Sequence, residues 1–264
     1  MNREYITVKT TPGRIEKGIL SIPVSLVDIF PKKRQTIFIL FDESNRIFEK
    51  SFSPYESSTR ECRINGIGHW FRKHQAEGGE SVVITVVDEA NFVYRLCFEG
   101  DYRLRILKLE DRFFSVKSED AANNLLRKMA NWLNEEPNVI ALNQFRNLSE
   151  VSEELLRKKF EGLESRGKEK TPYSLRILLY SIYSGHCQVC NFTFKKRDGF
   201  NYFEIHHIRP FISHTPKNLL SVCPNCHRRF EYSEVEHWFN PENWLIKVRF
   251  NDNFFHIRQA LLNK

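Results

Sequence analysis

Residues 3–9 alternate apolar and polar side chains, the two-residue period of a half-buried strand, until Thr10-Thr11-Pro12-Gly13 breaks the pattern. A second strand is predicted over 19–23 and a short helix over 24–30, stopped by Pro31-Lys32-Lys33. Strands over 36–41 and 46–52 flank the turn-rich Asp42-Glu43-Ser44-Asn45, and a polar loop at 54–61 leads to a short strand at 62–65. A helix over 67–75, with Trp70 and Phe71 on its buried side, ends at Gly78-Gly79. The β-rich runs 81–87 and 92–98 form a hairpin around residues 88–91, and 102–109 closes the region. About seven strands and two short helices fit a small closed or nearly closed β-barrel.

The texture then changes. Ser118-Glu119-Asp120 precedes a helical stripe of Leu125, Met129, Trp132 and Leu133, Pro137 interrupts, and a second helix begins after Ser149 with Val151, Leu155, Leu156 and Phe160 on one face. These stripes read as core or dimer contacts. The charged run Arg166-Gly-Lys168-Glu-Lys170 marks a boundary, and 173–184 reads as an amphipathic helix delivering the chain to Cys187. The expected architecture is α+β: a seven-stranded barrel domain with two short helices (1–112), a helical connector (113–170), and a C-terminal domain (171–264).

At 264 residues the chain can bury sizeable cores, and it holds no apolar stretch long enough to span a membrane and no apolar signal segment at its start. A cytoplasmic location is expected. Of six cysteines, Cys62 and Cys97 stand singly in strand-like contexts and read as small core residues. A net charge of +7 makes a polyanion the natural partner, although charge alone only suggests one.

The other four cysteines form two CxxC pairs, Cys187/Cys190 and Cys223/Cys226, a spacing that reads as a tetrahedral structural zinc site. Taken alone they would equally suit a zinc ribbon used only for binding. Beside them stand His206, His207, Asn218 and His227, the residue types for a second, oxygen-binding metal and a general base. Over residues 171–264 the strings Glu204-Ile-His206-His207-Ile208 and Asn218-Leu219-Leu-Ser-Val-Cys223-Pro-Asn-Cys226-His227 resemble the zinc-stapled branch of the HNH (ββα-metal) nucleases.

That resemblance implies His206 and His227 as ligands of a catalytic Mg2+ or Mn2+, His207 as general base, and Asn218 as the clamp that orients the base. By the strand period, His207 faces away from His206 and so cannot share its task. Many relatives carry another His four positions after the last motif His. Here that place holds Glu231, a carboxylate suited to a hard ion, which either completes the coordination or stands by. Arg228 and Arg229 bind phosphates or occupy a solvated helix face, and His214 reads as an ordinary loop histidine.

Over residues 1–110, Leu20-Ser-Ile-Pro23, Gly66-Ile-Gly-His-Trp70-Phe71 and Gly78-Gly-Glu-Ser-Val82 resemble the B-three DNA-binding pseudobarrel, with an SH3-like or other small barrel as the alternative. The resemblance implies two loops gripping the major groove: 10–18 with Thr11, Arg14 and Lys17, and 55–63 with Ser57, Ser58, Thr59, Arg60 and Arg63. Arg14 and Arg60 are the preferred base readers, since a guanidinium can donate two bonds to guanine; each could instead be a solvated charge. The whole resembles a type II restriction endonuclease acting as a homodimer on double-stranded DNA. The alternatives are a modification-dependent HNH endonuclease and a non-catalytic DNA-binding regulator.

Overall fold

The computed structural model describes residues 5–55, 61–160, 171–209 and 214–262. Their contacts divide the chain into two compact units, Met1–Lys108 and Leu109–Lys264.

The first unit holds strands β1 (Ile6–Lys9), β2 (Ile19–Ile22), β3 (Gln35–Phe41), β4 (Ile47–Ser53), β5 (Cys62–Asn65), β6 (Ser81–Asp88) and β7 (Val93–Phe98). They form one nearly closed sheet in the order β1-β6-β7-β3-β4-β5-β2, antiparallel except where β3 meets β7. A 3-10 turn, Val24–Ile29, and helix α2 (Gly68–Lys73) accompany them as expected. A third helical piece, α1 (Pro12–Glu16), is set in the first predicted DNA-gripping loop, with proline in the first turn, where its missing N–H costs nothing.

Aromatic stacking fills the barrel. Phe30 lies between Phe52 and Tyr94 at centroid distances of 5.2 and 4.6 Å, and Trp70 between Phe41 and Phe98 at 5.2 and 4.6 Å. Buried Tyr94 donates to Ile29 O at 2.7 Å, and burial pushes its pKa up to about 12. Trp70 Nε1 donates to Asp42 at 3.1 Å, so the ring's polar edge is satisfied within the core. Cys62 and Cys97 are buried, as read from the sequence. Gly18 has φ +65°, and a Cβ there would meet Gly68 N at 2.8 Å, so this crossing admits only glycine.

Residues 102–109 are not a closing strand. They belong to helix α3 (Glu99–Phe114), which carries the chain out of the first unit. Arg-Leu-Arg-Ile-Leu-Lys matches neither period cleanly, but Tyr102, Ile106, Leu109 and Phe113 recur at helical spacing and are the positions that become buried.

The second unit continues with α4 (Glu119–Leu133), α5 (Pro137–Glu150), α6 (Glu153–Phe160) and α7 (Tyr173–Tyr183). Ser118 caps α4, accepting from Ala121 N at 3.2 Å, and Asn134 ends it in the left-handed region. Pro137 starts α5 instead of merely interrupting a helix, again from the first helical turn. In α6 only Leu156 and Phe160 are buried; Leu155, expected on the same face, is exposed.

Beyond α7 come β8 (Glu204–His207), β9 (Leu219–Val222), α8 (Pro224–Tyr232), and a three-stranded sheet of β10 (Val235–Phe239), β11 (Leu245–Phe250) and β12 (Asn253–His256). The aromatic C-terminal stretch packs over this region: Leu245, Val248, Phe250 and Ile257 share a core with Cys187, Leu220, Val222, Cys223 and Cys226. Among the described residues no helix is long and apolar enough to cross a membrane.

Trp70→Ala should lower the stability of the first unit by about 3–5 kcal/mol, because it opens a cavity between two stacked rings. Denaturant titration would show this as a lower midpoint with the slope retained.

Candidate active site

The sulfur atoms of Cys187, Cys190, Cys223 and Cys226 all lie within 4.8 Å of one another, with Cys190 Sγ and Cys223 Sγ 3.7 Å apart. One pair comes from the turn after α7. The other comes from the N-terminus of α8, where Cys223 Sγ also accepts from Cys226 N at 3.4 Å. The thiols share protons unequally. A hydrogen bond from Cys226 lowers Cys187 to about 5 and raises Cys226, while burial pushes Cys223 up to about 11. Four converging sulfurs fit a tetrahedral zinc, which would displace the remaining protons.

Buried Gln188 ties this knuckle to its surroundings. Its backbone N–H donates to Ser221 O and its Oε1 accepts from Ser221 N, both at 2.8 Å; its Nε2 donates to Arg258 O at 2.8 Å. The cluster thereby fixes β9 and the C-terminal segment together.

β8 and β9 pair antiparallel, with His206 opposite Leu220 and His207 opposite Leu219. His206 stacks on Phe230 of α8, centroids 4.0 Å apart, and meets His227 edge-on at 5.4 Å. Burial, then the neighbouring His227, lowers the His206 pKa to about 3, leaving a neutral ring with a lone pair at neutral pH. Burial and the charge of Arg209 also lower His237, whose ring lies parallel to Phe230 with centroids 6.1 Å apart.

Glu204, two residues before His206 on the same strand, bonds His227 Nδ1 through Oε2 at 2.5 Å and accepts from Tyr202 OH through Oε1 at 2.9 Å. Burial works to raise the Glu204 pKa, but the bonds from His227 and Tyr202 outweigh it and hold the carboxyl below its usual range. An ionised carboxylate only accepts, so His227 donates from Nδ1, which leaves Nε2 for another partner. That nitrogen is 4.0 Å from Glu231 Oε1, whose other oxygen accepts from Arg228 at 2.5 Å. A carboxylate behind a histidine is the usual support of a metal-binding imidazole. The donors fit a divalent ion in kind, although among the described residues only the cysteines converge as a cluster of three or more.

His207 faces the other way and pairs with His214, Nε2 to Nδ1 at 3.1 Å. Asn218 is buried and grips the backbone of Arg209 at both polar atoms: its Oδ1 accepts from Arg209 N at 2.7 Å and its Nδ2 donates to Arg209 O at 2.9 Å. Ile208 N adds a bond to Asn218 O at 2.9 Å, so the chain leaving His207 is held at three points.

In the first unit, Arg14 and Arg63 both pair with the carboxylate of Glu61, while Thr11 and Lys17 stand exposed. Hydrogen bonds from Arg63 and Ser21 and the charges of the two arginines overcome burial to keep the Glu61 pKa low. Ser57, Ser58, Thr59 and Arg60 lie outside the described residues. Glu204, Tyr202, His214 and Glu61 were not assigned to a site from the sequence. Glu204 could have been, since the strand period puts it on the face of His206.

Two short strands and a helix, joined at four converging cysteines, present the paired histidines. Residues 187–232 match the HNH endonuclease family model, and the chain carries an HNH nuclease domain. Over 55 residues it is 42% identical to the type IV methyl-directed restriction enzyme EcoKMcrA of Escherichia coli (strain K12). That match spans 19% of this chain and 20% of the enzyme's length. Among solved structures, the Arabidopsis FUS3–DNA complex covers 36% of this chain and 96% of its own at 12% identity and a TM-score of 0.30. A score of 0.30 does not establish a shared fold.

Purified protein should contain about one tightly held zinc per chain, whereas Cys187→Ser should lose it and unfold the second unit at lower temperature, read by metal analysis and calorimetry. Asn218→Ala should cost about 1–3 kcal/mol in chemical denaturation, since it leaves two backbone groups of Arg209 unsatisfied.

Proposed function

We propose that this protein is a metal-dependent endonuclease that cuts double-stranded DNA, and that it acts as a modification-dependent restriction enzyme. The division of β8 into two faces carries the reading. His206 lies with His227 and Glu204 on one side, and His207 is turned to the other beside the backbone held by Asn218. In this account His206 and His227 hold a divalent ion, Mg2+ or Mn2+, with Glu231 in reach. When bound, the ion neutralises charge on the phosphoryl and leaving oxygens. His207 takes the proton of the attacking water. Glu204 orients His227, and Asn218 fixes the chain that presents His207.

The E. coli enzyme matched in sequence is methyl-directed, which favours modification dependence over a type II mode of action. We assign DNA recognition to the barrel (1–112), succeeded by the connector (113–170) and the nuclease domain (171–264). Thr11 and Lys17 stand open for phosphate contact, whereas Arg14 and Arg63 must exchange Glu61 for DNA. Arg228 must likewise release Glu231. One centre cuts one strand, so a double-strand break calls for two copies, arranged as a homodimer in the cytoplasm.

Digesting methylated and unmethylated copies of one plasmid with Mg2+ or Mn2+ tests this. Cleavage of the methylated copy alone is expected, and His207→Ala should slow it about 10²–10⁴-fold while zinc and DNA binding persist. Equal cutting of both copies would restore the type II reading; binding with no cutting of either would leave a regulator.

A further inference from the structure

Between the first cysteine pair and β8 the chain makes a hairpin, residues 191–203, which reaches the histidine site through the Tyr202 hydroxyl. Lys196 N donates to Phe200 O and Tyr202 N to Phe194 O, both at 2.8 Å, around a bridge between Lys195 and Asn201. This register puts Phe194, Lys196, Phe200 and Tyr202 on one face and Lys195 on the other, with Phe192 beside Phe194 and Arg197 in the turn. Phe194 stacks on Tyr202 at 5.2 Å, Phe192 is 6.1 Å from Phe194, and Lys196 Nζ lies 6.0 Å from the Phe200 centroid.

Phe192, Phe194 and Phe200 are 50%, 44% and 52% exposed, which folding gives no reason for. The hairpin base is nonetheless firmly seated. Asn201 Nδ2 donates to Ser184 O at 2.7 Å, and a Cβ on Gly185 would come within 2.6 Å of Asn201 Cβ. The rings are therefore presented in a fixed row.

The same two-residue period leads from Tyr202 to Glu204 and then to His206. Tyr202 OH bonds Glu204, and Glu204 bonds His227, so the aromatic row runs on from the face bearing the proposed metal residues. We propose that this hairpin binds the DNA strand flanking the scissile phosphate, its rings stacking on sugars and bases. The proposal rests on the endonuclease reading of the histidine site. Charge selects DNA over an apolar protein partner: Lys195, Lys196 and Arg197 stand in succession at the tip, in a chain of net charge +7. Lys196 is paired with Asp198, which leaves Lys195 and Arg197 to meet phosphates. Ring faces accept any base, so such a row would hold the strand whatever its sequence.

The test uses the full-length chain in the His207→Ala background and a duplex spanning a mapped cleavage position, with 2-aminopurine beside the scissile bond. Phe192→Ala/Phe194→Ala should weaken binding about tenfold or more with an unchanged salt slope, and should abolish the quenching of 2-aminopurine. Phe194→Leu keeps the apolar bulk without the ring and should lose quenching as well, whereas Phe194→Trp should retain it. Lys195→Ala/Arg197→Ala should instead flatten the salt slope by about two units. Aromatic variants that bind, quench and, with His207 restored, cut like the unsubstituted protein would overturn the proposal. So would variants whose only loss is self-association, which would make the row a contact between copies. If the unsubstituted protein cuts no DNA at all, it is the endonuclease reading that fails.

Discussion

The convergence of four sulfurs is the constraint on which the C-terminal architecture depends. β8 and β9 have four residues each and α8 has nine, lengths that do not hold together in water unaided. The cysteines bring a turn after α7 and the start of α8 together, their sulfurs within 4.8 Å of one another, and sit in the same core as Leu220, Val222, Val248 and Phe250. Once those pieces are fixed, strand geometry places the histidines. His206 falls on the α8 face, and His207 on the other.

Support for the individual imidazoles is electrostatic. Glu204 determines which nitrogen of His227 is left open, burial keeps His206 neutral, and His214 and the Asn218 clamp restrain His207 and the chain beyond it. These contacts link residues that spacing alone would treat separately. The same kind of pairing operates in the first unit, where Glu61 holds Arg14 and Arg63 on a barrel closed by stacked aromatics. Any DNA contact by those arginines must compete with a carboxylate already in place.

Much of this was legible in the sequence because the relevant periods are short. Each of the seven barrel strands is bounded by its own turn residues, and the CxxC pairs and the His-His and Asn positions are local strings. The features that escaped depend on longer reach. Residues 102–109 alternate over a few positions like a strand, and only the recurrence out to Phe113 reveals a helix. Proline breaks a helix or opens one according to the residues after it, and at Pro137 the buried Ile140, Ala141 and Phe145 give α5 a face to pack. His214 meets His207 from seven positions away, and the pairing of Arg14 with Glu61 bridges distant segments; neither can be inferred from spacing. Glu204 stands two residues from His206, but its partner, His227, comes from another element, and spacing alone does not reveal the pair.

Zinc bound by the four sulfurs would hold the histidines in position. Nitrogen-15 correlation spectra of the imidazoles, recorded as zinc is withdrawn by a chelator, test it most directly. The fixed tautomers of His206, His207 and His227 are expected to be lost together with the metal. Histidine signals that keep their tautomers after all zinc has gone would contradict it.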